Sequence, residues 1–335
     1  MNNLLIADLH LTDNPIDEYR WKIFDWIKDL RKRYLINNLY ILGDLTDKKD
    51  NHSSLLVNKL TDNICDLAEV MSIVILKGNH DAINLSNPFF KFFNEFPVVK
   101  FISLPCIINQ GLFIPYTKNF KSVEKTIEIF DSEINHSEIS YIYTHLPLIG
   151  SVAQNGWELK EGVDISVFSK YKNIQVFAGD IHTPQKIGNV EYVGSPYNTT
   201  FSDSFKGQAI LLNESSGSKV YLKPGFLRRY SLKITNPKEL LPNKFKANDQ
   251  VKIRVELGKE ELYLWDEYRR EIKEFCNATS IELVSLDMVL KQVNIDKTKE
   301  IGTPKKETPI EIVERFSRRE KLDEDFITIA KELLC

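Results

Sequence analysis

The sequence predicts an α/β protein in which two β-sheets form a sandwich flanked by helices, followed by a small α+β domain and a helical tail. Strand-like and helical patterns alternate over the first hundred residues, short apolar runs fill the middle third, and the pattern breaks at Pro224-Gly225. A single core rarely extends beyond about 250–300 residues, so the 335 residues suggest more than one domain. The expected units are a main domain, a second domain, a linker and a tail: residues 1–225, 226–290, 291–308 and 309–335.

The first third has the pattern of a parallel sheet with covering helices. Apolar runs at residues 4–7, 39–42 and 73–76 predict buried strands. Between them, residues 17–34 and 53–70 carry apolar side chains three and four positions apart, which is typical of amphipathic helices. This β-α-β-α-β order favours parallel strands joined by helical crossovers.

The middle third predicts a second sheet. Its apolar runs are separated by turn residues and lie at residues 98–104, 112–116, 140–143, 174–178, 190–193 and 209–212. Each is long enough for a strand and too short for a stable helix.

Beyond Pro224-Gly225 the sequence predicts a small α+β domain and then a tail. The domain has strands at residues 230–234, 251–257 and 281–286 and a helix at 259–276. Residues 291–308 are polar and read as a linker. Two short amphipathic helices are predicted in residues 309–335, and helices of this length need a binding surface to be stable.

Composition excludes several classes of protein. The net charge of −3 argues against a protein that coats nucleic acid by charge alone, although it permits an enzyme that binds phosphate through metal ions. No apolar run approaches the roughly 20 residues of a membrane span, and no signal-peptide pattern develops before Asp8, so a cytoplasmic protein without membrane association is expected. The four cysteines show no paired spacing and are expected to be free thiols.

Polar side chains follow five of the predicted strands, at the point where each strand ends. They are Asp8, His10, Asp44, Asn79, His80, His145, Asp180 and His182. Ligands bind at the carboxyl ends of strands in open α/β sheets, so these side chains are expected to converge. Carboxylate, imidazole and amide ligands without cysteine suit manganese, iron or zinc. Eight residues exceed the needs of one ion, which favours two ions sharing a bridging carboxylate, with His80 available as a proton donor.

At these residues the sequence resembles the calcineurin-like metallophosphoesterase superfamily. The resemblance covers residues 1–215 and rests on five motifs in order: Asp8-Leu9-His10, Gly43-Asp44-Leu45-Thr46-Asp47, Gly78-Asn79-His80-Asp81, His145, and Gly179-Asp180-Ile181-His182. It implies the metallophosphoesterase fold and two divalent metal ions.

The resemblance also implies a role for each matched residue. The first ion would be held by Asp8, His10, Asp44 and His182, and the second by the bridging Asp44 with Asn79, His145 and Asp180. His80 would be the general acid. The family has histidine at the position of Asp180. A carboxylate can still ligate manganese, but its added negative charge is expected to lower the Lewis acidity of the ions and alter the metal preference.

Within this superfamily the chain is similar to the nuclease subunits of SbcCD-type DNA repair complexes, and most to those of T-even phages. The segment around Gly194-Ser195-Pro196, the second domain and the tail carry this likeness. It implies a manganese-dependent DNA exo- and endonuclease. An SbcC-type ABC ATPase would bind the C-terminal helices, and a homodimer would form through helices at residues 53–70 and 84–96. Arg228, Arg229 and Lys223 are candidates for DNA contacts by location alone. Relatives hold the DNA backbone with a histidine soon after the second motif; Asp47 occupies the nearest position here, so the resemblance implies that this role is either lost or passes to His52.

Two alternatives remain open at the sequence level. One is a phosphatase or small-molecule phosphodiesterase on the same metal core, and the other is a catalytically inactive adaptor that retains only the fold. The tail distinguishes the first alternative from a nuclease subunit, because a phosphatase would not need a tail that binds an ATPase. The metal content of the purified protein distinguishes the second alternative, because an empty site would favour an inactive adaptor.

Overall fold

The computed structural model describes residues 1–84, 86–133, 139–153, 156–169 and 173–291. The chain divides into two compact units, Met1–Leu290 and Lys291–Cys335. Apart from Lys291, the predicted linker and ATPase-binding tail lie outside the described residues. None of the helices in the described part of the chain has the length and apolarity needed to span a bilayer.

The described residues form strands and helices as follows. The strands are β1 (Asn2–Ile6), β2 (Asn38–Leu42), β3 (Ser72–Leu76), β4 (Val99–Ile102), β5 (Cys106–Ile108), β6 (Gly111–Ile114), β7 (Tyr141–His145), β8 (Gln175–Gly179), β9 (Gln185–Ile187), β10 (Val190–Tyr192), β11 (Ala209–Asn213), β12 (Ser218–Leu222), β13 (Arg229–Ile234), β14 (Gln250–Leu257) and β15 (Glu282–Leu290). The helices are α1 (Lys22–Tyr34), α2 (Ser54–Ala68), α3 (Phe120–Glu133), α4 (Ser166–Ser169) and α5 (Trp265–Ala278).

Two six-stranded sheets form a sandwich, as predicted. The first has the order β12-β11-β1-β2-β3-β4, and the second β5-β6-β7-β8-β10-β9. Strands β1 to β4 are parallel, as are β6, β7, β8 and β10. Because parallel strands end at the same edge of a sheet, the loops after β1, β2 and β3 are neighbours, and so are those after β7 and β8.

The strands of the first sheet place successive side chains in different cores, as the two-residue period of a strand requires. In β1, Leu4 and Ile6 belong to the apolar cluster that includes residues of α1 and α2, whereas Leu5 belongs to the cluster between the sheets. Tyr40 of β2 and Tyr143 of β7 meet there, with ring centroids 5.1 Å apart. The two-sided burial explains why these strands read as unbroken apolar runs.

Several predicted elements differ from the observed ones. Residues 98–104 and 209–212 were predicted in the second sheet, but β4 pairs with β3 and β11 pairs antiparallel with β1, so both extend the first sheet. The helix predicted from residue 17 is a 3-10 helix over Pro15–Trp21 and becomes α-helical at Lys22. The predicted dimerisation helix at 84–96 contains a 3-10 helix, Phe89–Glu95.

Residues 229–290 form a third sheet with its own core. Its strands β13, β14 and β15 are all parallel, and α5 provides the crossover between the last two. Apolar side chains from β14 pack against Ile272 and Cys276 of α5. We call these residues the cap domain. Cys276 is free, as are Cys65 and Cys106.

Candidate metal centre

The structure brings all eight predicted side chains together at the carboxyl ends of the parallel strands. Three overlapping groups have ligand atoms within 4.8 Å of one another: Asp8 with His10 and His182, His10 with Asp44 and His80, and Asp8 with Asp44 and His145. Asn79 Oδ1 and Asp180 Oδ1 lie 3.0 and 3.7 Å from His145 Nε2. Each motif contributes side chains to this cluster because it directly follows a strand whose carboxyl end lies beside it.

An unusual backbone conformation turns these side chains inward. Asp8, His10, Asp44 and Asp180 have φ values of 56°, 43°, 53° and 89°, in or near the left-handed region. Residues other than glycine rarely adopt this region, and such strain concentrates at functional sites. A Cβ on Gly78 would collide with the backbone nitrogen and carboxylate of Asp44, so glycine is required for the two loops to approach.

The first group has the donor arrangement of a cation site. His10 Nε2 and His182 Nε2 lie 3.0 Å apart. His10 Nδ1 lies 3.2 Å from Asp47 Oδ1, and His182 Nδ1 lies 2.9 Å from the Thr199 hydroxyl. Asp8 Oδ2 is buried without a hydrogen-bond partner in the described part of the chain. Two converging imidazole lone pairs beside an unpaired carboxylate oxygen fit a divalent ion.

Asp44 connects the first group to the second. Its Oδ2 lies 3.4 Å from His10 Nε2, and its Oδ1 lies 3.4 Å from His145 Nε2. The two oxygens of one buried carboxylate therefore face two different sets of ligands. This arrangement suits a carboxylate that bridges two ions.

The second group is oriented by a backbone carbonyl. His145 Nδ1 donates a hydrogen bond of 2.7 Å to Leu42 O, which leaves Nε2 as the ligand nitrogen. The Asn79 amide atom facing His145 lies 3.2 Å from both Asp44 Oδ2 and Asp180 Oδ1. An ion bound here would place the amide oxygen inward. The residues at both groups thus fit divalent metals.

Burial perturbs the carboxylates in the absence of metal. It raises the pKa of Asp8 to about 7 and that of Asp180 to about 6, in each case against the lowering effect of His145. Burial would also raise the pKa of Asp44, but the adjacent His145 and His10 outweigh it and hold the pKa below its usual value. His182 has its pKa lowered to about 3 by burial and then by the charge of His10. The surrounding protein groups therefore only partly neutralise the negative charge of these buried carboxylates.

His80 lies at the open side of the centre. Its side chain is 34% exposed, and its ring centroid is 4.8 Å from that of His10. Its backbone N–H donates to Asp44 Oδ1, and its Nδ1 donates to Asp47 O at 2.8 Å. The Nδ1 proton is thereby fixed, and Nε2 is the nitrogen that can exchange a proton with a substrate.

Two carboxylates within the motifs have roles that their positions in the sequence did not indicate. Asp81 accepts hydrogen bonds of 2.7 to 2.9 Å from the backbone N–H groups of Gly78, Asp44 and Leu45, which ties the second and third motif loops together. The Asp47 carboxylate lies 3.2 Å from His10 Nδ1, and the backbone carbonyl of Asp47 accepts from His80 Nδ1. Both residues stood in recognised motifs, but only their three-dimensional contacts reveal what they hold.

The residues predicted to contact DNA are placed differently from one another. His52 packs on Phe89 and Phe90, with centroid distances of 4.7 and 4.9 Å, and is absent from the groups of metal-ligating side chains. Arg229 is buried, and each of its three guanidinium nitrogens donates to protein oxygens. This burial argues against a DNA contact for Arg229. Arg228 is half-buried beside a cavity described below.

Comparison with known proteins gives one family assignment. The family model described as calcineurin-like phosphoesterase matches residues 1–184, more than half of the chain, and this range contains all eight side chains of the centre. No curated protein matches the sequence.

Two of the solved structures that the chain matches are distantly similar to it. A nuclease MPE from Pseudomonas putida is 14% identical, with 66% of this chain and 87% of that chain covered and a TM-score of 0.33. A dimetal phosphatase from Danio rerio is 12% identical, with 67% and 99% covered and a TM-score of 0.39. Scores of this size carry no argument about the reaction or the substrate.

Proposed function

Because the chain belongs to the calcineurin-like phosphoesterase family, we propose that it is a manganese-dependent DNA exo- and endonuclease, acting as the nuclease subunit of an SbcCD-type complex. The main support for a two-metal site is Asp44. Its two carboxylate oxygens face separate sets of ligands, each oxygen lying 3.4 Å from a histidine Nε2. A carboxylate shared by two ions would hold them close enough to act on one phosphate.

The chain's own residues supply binding, orientation and a proton. Bound in the two groups, divalent ions would polarise the scissile phosphate and activate a water for in-line attack. The backbone carbonyl of Asp47 accepts a hydrogen bond from His80 Nδ1, which leaves His80 Nε2 available to the substrate. As the water oxygen bonds to phosphorus and the bond to the sugar oxygen breaks, protonated His80 delivers its Nε2 proton to the departing oxygen.

A cationic cavity at the junction with the cap domain supports a polyanionic substrate. It measures about 470 Å³, and its cations are Lys206, Lys223, Arg228, Lys244 and Lys246. Phe226, Tyr230 and Phe245 also line it, and no carboxylate occurs among its described lining residues. Lysines and arginines that accompany aromatic rings suit the phosphates and bases of nucleic acid. A small phosphoester would not need this surface.

The experiment compares two substrates on one enzyme. The Lys223→Glu/Lys244→Glu variant should lose cleavage of duplex DNA ends at moderate salt but retain hydrolysis of bis(p-nitrophenyl) phosphate. Lys160→Glu is the matched control, since Lys160 is an exposed lysine whose ammonium group pairs with Glu158 on the surface. Wild-type hydrolysis of the small ester without any DNA cleavage would favour a small-molecule phosphodiesterase. No hydrolysis of either with manganese would favour an adaptor.

The proposal includes two interactions. The homodimer is supported by exposed apolar side chains at the predicted interface, with Leu55 66%, Phe89 38% and Phe92 36% exposed. Leu55→Glu should shift the sedimentation coefficient to that of a monomer. The ATPase subunit would bind residues 309–335, so deletion of residues 292–335 should abolish co-purification with an SbcC-type ATPase while hydrolysis of the small ester continues.

A further inference from the structure

Thr199 is hydrogen-bonded to a predicted metal ligand. Its hydroxyl oxygen lies 2.9 Å from His182 Nδ1 and donates to Asp203 Oδ2 at 3.1 Å. Both Thr199 and Asp203 are buried. Since the hydroxyl proton points to the carboxylate, the oxygen accepts from His182 Nδ1–H. This chain of hydrogen bonds fixes the His182 tautomer in which Nε2 is free, and Nε2 is the nitrogen that faces His10.

The carbonyl of the same residue is held from the cap domain. Arg229, the first residue of β13, donates from its guanidinium to Thr199 O at 2.7 Å. Arg20 donates to the same oxygen at 2.8 Å and also to the carbonyl oxygen of His10. Asp17 accepts from both guanidinium groups and so holds the two cations side by side. All these side chains are buried.

We propose that Thr199 is a positioning residue for the first metal group, and that Arg229 makes its position depend on the cap domain. The inference rests on the metal centre of the proposed function but does not require DNA to be the substrate. The same few atoms connect a strand of the cap to the imidazole of His182 and to the backbone carbonyl of His10. A displacement of β13 would move Thr199 O, and with it the hydroxyl that orients His182. Occupancy of the first group would then depend on the placement of the cap, whereas the second group, oriented by Leu42 O, would not.

Three substitutions separate orientation from general destabilisation. Thr199→Val removes the hydroxyl at nearly constant shape and should weaken one of two manganese-binding steps by about 10- to 100-fold, as loss of such a partner typically does. Thr199→Ser should restore it. Thr144→Val is the matched control, because its buried hydroxyl donates only to Ile114 O.

The measurement is metal binding rather than activity. Titration calorimetry of the full-length protein with manganese reports the two steps, and the absorption spectrum of the cobalt form reports ligand geometry. Thr199→Val should alter one step and the spectrum, while Thr199→Ser and Thr144→Val should match the wild type. Two unchanged steps and an unchanged spectrum in Thr199→Val would overturn the positioning role.

The link to the cap is tested separately. Arg229→Lys keeps the charge but cannot reproduce the forked contacts, and it should weaken the same binding step as Thr199→Val. Val255→Ala is the control, because it creates a cavity in the cap core far along β14 from this contact. Equal weakening by both variants, or by neither, would overturn the dependence on the cap. DNA cleavage plays no part in these readouts, so a failure here is distinct from a failure of the proposed function.

Discussion

The raised pKa of Asp180 predicts that manganese stabilises the protein more at high pH than at low pH. Burial raises this pKa from 3.8 to about 6. Between these values the folded metal-free protein keeps a proton that the unfolded chain has lost, so its stability falls as the pH rises through this window. Two pH units correspond to about 3 kcal/mol in the free energy of unfolding. Asp8, with a pKa raised to about 7, contributes in the same direction.

Divalent ions held by Asp8 and Asp180 would remove this penalty, because metal ions bind the ionised form of a carboxylate. The manganese-induced rise in melting temperature should therefore be larger at pH 8 than at pH 5. Only about one pH unit of the Asp180 window lies above pH 5, which corresponds to about 1.4 kcal/mol. This is roughly 3 to 6 °C if each kcal/mol shifts the transition by about 2–4 °C. Differential scanning fluorimetry of chelator-treated protein, with and without manganese, measures this difference. Asp180→Asn cannot ionise, so the melting temperature of the metal-free variant should exceed that of the wild type by more at pH 8 than at pH 5. An equal manganese effect at both pH values, or metal-free curves for Asp180→Asn that coincide with the wild type at pH 8, would refute the reasoning.

Three further predictions concern the centre itself. His80→Gln should lower kcat by about 10²- to 10⁴-fold with two ions still bound, and the loss should be smaller for a p-nitrophenyl ester because its leaving group needs no proton; equal losses on both esters would remove His80 as the acid. Asp44→Asn should reduce bound manganese from two ions to one or none, as measured by mass spectrometry of the metal content, whereas retention of both ions would exclude a bridging role. Gly78→Ala should lower the free energy of unfolding by about 1–3 kcal/mol through overpacking against Asp44, as measured by urea denaturation; an unchanged midpoint would show that the loops can separate without cost.

The clustering of the candidate metal ligands was predictable because their signal is local. Each follows directly on an apolar run, so finding the strand also finds the ligand, as for Asp8 after β1 and His145 at the end of β7. The sandwich fold followed from the same runs and is confirmed. Sheet membership was less predictable, since β4 and β11 resemble the strands of the second sheet in composition and differ only in their partners.

The contacts that orient the ligands could not be predicted in this way. Thr199 contacts His182, which is 17 residues away in the sequence, and Arg229 contacts Thr199, which is 30 residues away. No periodic pattern in the sequence predicts either contact. Arg229 shows that a cation predicted to contact DNA can instead be buried within the protein. Its position after a domain boundary suggested a surface for DNA, but the neighbouring carboxylate of Asp17 and several backbone oxygens made burial possible.

The left-handed backbone at Asp8, His10, Asp44 and Asp180 limits how this centre can be redesigned. Histidine, aspartate and asparagine tolerate that conformation better than most side chains, and β-branched residues tolerate it worst. Swapping ligands to favour another metal is therefore open at these four places only within a short list of residue types. Asn79 and His182, which lack this constraint, are the more promising starting points for a library.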